Sequence, residues 1–191
     1  MNKVKGIIGL IFEGRGDEMI KREMYMKQIR PFIDRQIIKV ITGIRRCGKS
    51  VILKLIQAEL IEQGVKPHQI MTINFEDLSN VKYMTAESLH QYIMDIYKEN
   101  HELRYLFFDE IQEVEEWERC INSLLSKENF DLYITGSNAK LLSGELATYL
   151  SGRYIEIHVY PFSFSEFLMM GNKRDNQTWI DSDFEQFIEV G

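Results

Sequence analysis

Eight residues constrain this chain more than any others: Gly43-Ile44-Arg45-Arg46-Cys47-Gly48-Lys49-Ser50, which fit the pattern G-x-x-x-x-G-K-[ST]. The run Ile37, Ile38, Lys39, Val40, Ile41 before them reads as a strand, and the stretch from Val51 to Gln63 after them reads as a helix. At such a turn, successive backbone N–H groups and the positive end of the helix dipole converge on one point, which suits an anion carrying several charges. The spacing therefore predicts that Gly43, Ile44, Arg45, Arg46, Cys47, Gly48, Lys49 and Ser50, with Val51 opening the helix, hold the phosphates of a nucleotide. Lys49 is expected to reach the terminal phosphates and the Ser50 hydroxyl to ligate magnesium.

A second element with chemical content is Asp109-Glu110, two carboxylates closing the apolar run Tyr105-Leu106-Phe107-Phe108. In a parallel sheet all strand C-termini lie along one edge, so this pair can stand beside the phosphate loop. Asp109 is then expected to hold magnesium, through water, and Glu110 to orient or deprotonate an attacking water. The acidic residues Glu113, Glu115 and Glu116 just beyond read as a solvated helix face.

Three further positions each carry two readings. Ser137 or Asn138, in Thr135-Gly136-Ser137-Asn138, can sense a terminal phosphate or simply cap the helix that Ala139 begins. Arg153, at a helix-to-strand junction, can neutralise phosphoryl charge, in its own chain or across a subunit contact, or can make an ordinary surface ion pair. Asn74 can pair with Glu110 or form a turn. Cys47 near a helix N-terminus invites the idea of a lowered pKa, against which stands plain small-residue packing. Asn172-Lys173-Arg174-Asp175 matches a guanine-reading pattern, but it follows a helix-like stretch, and Asp109-Glu110-Ile111-Gln112 lacks the glycine of a GTPase switch.

Strands are predicted at about 36–42, 69–75, 104–110, 131–135 and 153–159, and helices at 19–33, 49–63, 86–98, 113–127 and 139–150, with Thr85 capping the third helix. Strands alternating with helices predict an α/β fold, a three-layer sandwich around a mainly parallel five-stranded sheet. Ser163-Phe164-Ser165-Glu166 and Ser182-Asp183-Phe184-Glu185 have the spacing of helix-opening capping boxes. Residues 1–18 are expected to be a flexible tail or a mis-assigned start, because Glu13-Gly14-Arg15-Gly16 is what a purine-rich ribosome-binding site would encode ahead of Met19. Residues 19–161 form the expected core, and 162–191 the start of a helical C-terminal extension that the chain's end cuts short.

Composition excludes little beyond this. A net charge of -6 argues against a surface built broadly for nucleic acid. Of two cysteines, Cys47 lies inside the phosphate loop, so no structural disulfide is expected and a reducing cytoplasm is the natural setting. The apolar run from Gly6 to Phe12 falls far short of the roughly 20 residues that span a bilayer.

Taken jointly, Gly-Ile-Arg-Arg-Cys-Gly-Lys-Ser, Phe-Phe-Asp-Glu-Ile-Gln, Ile-Thr-Gly-Ser-Asn-Ala, Ser-Gly-Arg-Tyr and Pro-Phe-Ser-Phe-Ser-Glu-Phe resemble a family of prokaryotic AAA-type ATPases. In that family an AAA domain precedes a C-terminal domain, and the resemblance runs from about Met19 to the end. It implies a P-loop NTPase fold with strand order 5-1-4-3-2, and ATP and Mg2+ as ligands. It also implies Lys49 and Ser50 as the Walker A pair, Asp109 and Glu110 as Walker B, Ser137 or Asn138 as the first sensor, and Arg153 as a candidate arginine finger. The chain departs from the family pattern by ending near Gly191. The expected function is a magnesium-dependent ATP-hydrolysing module that drives conformational change, with a homo-oligomer or a partner protein receiving it. The alternatives are a nucleotide-gated switch with negligible hydrolysis and, behind it, a small-molecule phosphotransferase.

Overall fold

The computed structural model describes residues 21–97, 102–127, 129–137, 150, 152–164 and 166. Five strands form one sheet: β1 (Ile38–Gly43), β2 (Ile70–Asn74), β3 (Arg104–Asp109), β4 (Phe130–Ser137) and β5 (Tyr154–Val159). Their order across the sheet is β2-β3-β4-β1-β5, with every neighbouring pair parallel, as the family resemblance implied. Every residue of β1 and β3 is buried, the signature of strands covered on both faces. The edge strand β2 instead buries Met71 and Ile73 and turns Thr72 and Asn74 to solvent.

Side chains alternate across the pleat, so each central strand feeds two cores. On one face Ile38, Val40, Leu106, Phe108, Leu132 and Ile134 pack with helices α3 (Ala86–Ile96) and α4 (Trp117–Leu125), through Leu89, Ile93, Ile121 and Leu124. On the other, Ile41, Phe107, Tyr133 and Ile157 meet α1 (Glu23–Ile29) and α2 (Lys49–Glu62), through Met26, Ile29, Ile52 and Ile56. The result is the expected three-layer α/β/α sandwich. Among the described residues no helix is long and apolar enough to cross a membrane.

The ends of the helices follow local chemistry. After α2, Gly64 takes φ +100, its N–H bonds the Ile61 carbonyl and the Val65 N–H bonds the Leu60 carbonyl, which is a Schellman ending. Thr85 opens α3 by accepting the Ser88 N–H on its hydroxyl. Two helices are shorter than their periodicity predicts. Pro31 has no N–H to continue α1, so the chain passes into a 3-10 turn at Arg30–Phe32. The helix expected from 113 starts only at Trp117, because Glu115 is held extended between Met84 and Ala86 by two backbone hydrogen bonds.

Candidate functional site

Three strand ends build the site. β1 delivers the phosphate loop, β3 delivers Asp109 and Glu110, and β4, lying between them, carries Thr135 to Ser137. The β1–β4 register sets Gly43 beside Ser137, and β1–β5 sets Gly43 beside Val159. A Cβ added to Gly43 would collide with the Val159 carbonyl oxygen and lie 2.5 Å from Cys47 Sγ, so the loop closes tightly over the end of β1 only because no side chain is there. Relieving that overlap costs about 1–3 kcal/mol. Gly43→Ala is therefore expected to weaken ATP binding roughly tenfold while leaving far-UV circular dichroism unchanged, which a fluorescent-ATP titration checks.

The loop narrows onto Lys49. Its Nζ lies 3.4 Å from the carbonyl oxygens of both Gly43 and Ile44 and 3.2 Å from Glu110 Oε1, with the lysine only 4% exposed. Arg46 and Gly48 adopt positive φ, 66° and 98°, turning the backbone through the concave path that lines up N–H groups. Ile44, Arg45, Arg46 and Ser50 stay exposed, Val51 is half-buried, and Arg45 pairs loosely with Glu76 at 3.6 Å. Cys47 is buried, and burial pushes its thiol up, so packing rather than reactivity accounts for it.

Thr135 is a site residue that the sequence reading passed over. Its hydroxyl donates to Asp109 Oδ1 at 2.5 Å and accepts the Glu110 backbone N–H at 2.9 Å, so one buried side chain fixes both acidic residues. Glu110 itself sits at φ 56°, an uncommon conformation for a residue with a Cβ, of the kind that concentrates at functional sites. Its second carboxylate oxygen accepts from Gln112 Nε2 at 2.6 Å. A polar side chain closing a buried strand was the available signal for Thr135.

Arg22 had no such signal, since it falls inside the helix expected at 19–33 and belongs to no motif. The structure buries its guanidinium completely. It donates to the Cys47 carbonyl (2.8 Å), the Tyr160 carbonyl (2.8 Å) and Glu166 Oε1 (2.9 Å), and lies against the Tyr25 and Phe162 rings. The phosphate loop is thereby braced against the segment that follows β5. In that segment Ser163 and Glu166 form the expected capping box: Glu166 N–H donates to Ser163 Oγ and Ser163 N–H to Glu166 Oε2.

The remaining expectations divide. Ser137 is the last residue of β4, half-buried and adjacent to Gly43, rather than a residue past the strand. Asn138 lies outside the described residues, as do the helix expected at 139–150 apart from Leu150, the 172–175 pattern and the second capping box. Asn74 forms a turn, its Oδ1 accepting the Glu76 N–H. Arg153 precedes β5 at the strand's N-terminal end, where its carbonyl accepts from Ile38 and its guanidinium reaches Asn122 at 3.3 Å. Gly43 stands at the other end of β1, about 16 Å along the strand. The chain does not bring Arg153 to its own phosphate loop.

Comparison with known proteins agrees with this geometry. A family profile described as an AAA domain matches residues 35–168. An uncharacterised protein of Haemophilus influenzae is 43% identical over 173 residues, covering 91% of this chain and 43% of that protein. One from Methanocaldococcus jannaschii is 39% identical over 137 residues, covering 71% of this chain and 29% of the other. The chain thus spans less than half the length of either relative. Among solved structures, yeast Hsp104 in complex with casein aligns with a TM-score of 0.58 at 17% identity, over 87% of this chain and 31% of that one. AMPPCP-bound DnaA from Aquifex aeolicus aligns at 0.56 and 15%, over 86% and 56%. At such identities the two structures speak for the fold alone. With the profile covering all five strands of the sheet and the phosphate loop, the chain belongs to the AAA domain family, whose fold implies that it binds ATP.

Proposed function

We propose that this chain is an ATP-hydrolysing, magnesium-dependent AAA-type module that converts the hydrolysis step into a conformational change. The observation that carries the reading is the 3.2 Å contact between Lys49, the first residue of α2 after the loop that leaves β1, and Glu110, just past β3; β4 separates the two strands. A phosphate-gripping cation and a carboxylate able to act on water occupy one point. In the reaction, water oxygen bonds to the terminal phosphorus, the bridging P–O bond breaks with its electron pair leaving on ADP, and the water proton passes to Glu110. Lys49 and the loop N–H groups stabilise the charge that spreads over the phosphoryl oxygens.

Ser50 and Asp109 are the residues that would hold magnesium. Both offer hard oxygen donors, and Thr135 fixes the Asp109 carboxylate in orientation. Among the described residues no cluster of three or more His, Cys, Asp or Glu forms a protein cage for a metal. That fits magnesium, which is commonly held by one or two protein ligands together with phosphate oxygens and water. A bound magnesium ion would supply positive charge that offsets the negative charge developing on the phosphoryl oxygens.

A specific observation favours the switch reading for the chain acting alone. Arg153 stands at the wrong end of β5 to serve its own site, so any arginine finger it provides must come from a second copy. Single-turnover phosphate release from magnesium-ATP separates the readings. Release that stops when EDTA replaces magnesium supports the hydrolysing module, whereas tight ATP binding without release, at any protein concentration, supports the switch.

A further inference from the structure

Glu110 uses both carboxylate oxygens, but on two different kinds of partner. Oε1 faces Lys49, which a bound triphosphate would claim. Oε2 accepts from the Gln112 side-chain amide at 2.6 Å, a contact a phosphate has no reason to break. Gln112 lies in the 3-10 turn Ile111–Glu113 that directly follows Glu110, so the clamp is local. Its amide orientation is dictated by chemistry, since only the nitrogen can meet a carboxylate.

The other end of the same amide argues against a purely architectural role. Gln112 Oε1 is buried and has no hydrogen-bond partner among the described residues. Buried polar atoms are nearly always paired, and a glutamine kept for structure would have protein partners at both ends. Here Glu110 is the partner the amide has. Asn74, the polar side chain at the end of neighbouring β2, is already committed to its own turn.

We infer that Gln112 is the positioning residue for Glu110: it holds one carboxylate oxygen so that the other is presented first to Lys49 and, once Lys49 engages phosphate, to the attacking water. This rests on the reading of Glu110 as the group that acts on water. Two consequences follow. Without the clamp Glu110 swings freely, so turnover falls although nothing that touches phosphate has changed. Glu110 also competes less effectively for Lys49, so ATP binds more tightly.

The test uses Gln112→Met, which keeps the side chain's length and loses the amide, and Gln112→Glu, which replaces the donor by a like charge. Each is made with Glu110 intact and with Glu110→Gln, and each is read for thermal midpoint, ATP dissociation constant and kcat. Gln112→Met should lower kcat roughly tenfold and tighten ATP binding roughly threefold, values in the range of one lost hydrogen bond. Both effects should vanish in the Glu110→Gln background, and Gln112→Glu should lower kcat further. An unchanged kcat, or equal losses in both backgrounds, overturns the positioning role. A fallen thermal midpoint with no change in the ATP dissociation constant or kcat overturns it equally. Should the wild type release no phosphate, the hydrolytic reading fails by itself. The clamp is then decided by affinity: an ATP dissociation constant that responds to Gln112→Met only when Glu110 is present upholds it, and one that does not respond overturns it.

Discussion

Lys39→Met should cost about 3–5 kcal/mol of folding stability, the range for leaving one member of a buried ion pair alone. Lys39 and Asp131 lie side by side in the sheet interior with side chains 0% and 1% exposed, in direct contact as an ion pair. Lys39 also donates to the Arg35 carbonyl and lies 5.1 Å from the Tyr133 ring centroid. Asp131 accepts from the Asp34 N–H and the Tyr133 hydroxyl, both at 2.9 Å, and the Tyr105 hydroxyl donates to Asp34 at 2.7 Å. Burial drives the Asp131 carboxyl up and the Lys39 ammonium down, so each charge persists on the strength of its partner. Removing the lysine strands a carboxylate with nothing to balance it. Urea unfolding at neutral pH measures the loss as a lower midpoint with an unchanged slope. Changing both residues to apolar ones of similar volume should recover much of it. This network joins the N-terminal ends of β1, β3 and β4, away from the phosphate loop, so ATP affinity of the folded variant should match the wild type.

The second large effect falls on chemistry. Glu110→Gln keeps the shape of the side chain and removes its capacity to take a proton. General-base contributions run to about 10²–10⁴ in rate, and phosphate release should fall by that much. Binding should move the other way. In the wild type the Glu110 carboxylate lies on Lys49 at 3.2 Å, and a triphosphate must win the ammonium from it. The neutral amide is a weaker competitor, so ATP affinity should hold or rise. Lost turnover with retained affinity distinguishes a removed catalytic charge from a damaged pocket.

Much of this architecture was legible in residue order because its signals are local. The loop lies between a buried strand and a helix, and Gly64 and Thr85 announce the ends of helices by their own backbone and side-chain chemistry. The position of Asp109 and Glu110 beside the loop could be read from residue order because all strand C-termini of a parallel sheet share one edge. Sequence periodicity gives no strand order, which came here from family resemblance. What stayed hidden depends on contacts distant in sequence. Arg22 acquires meaning only when the fold brings Cys47, Tyr160 and Glu166 around it. Thr135 matters because β4 inserts between β1 and β3 and places a hydroxyl under both acidic residues. The start of α4 was misjudged for the same reason, since Glu115 is drawn into pairing with Met84 and Ala86. Arg153 shows the converse. Its motif was plain, but only the parallel register of β5 on β1 reveals that it faces away from its own loop.

The central claim is that Lys49 and Glu110 work as one site on one nucleotide. Its most direct measurement is single-turnover phosphate release from pre-bound ATP after addition of magnesium, comparing wild type with Glu110→Gln at equal nucleotide occupancy. The account predicts release by the wild type and a rate at least about 10²-fold lower in the variant. Equal release from the two proteins would contradict it.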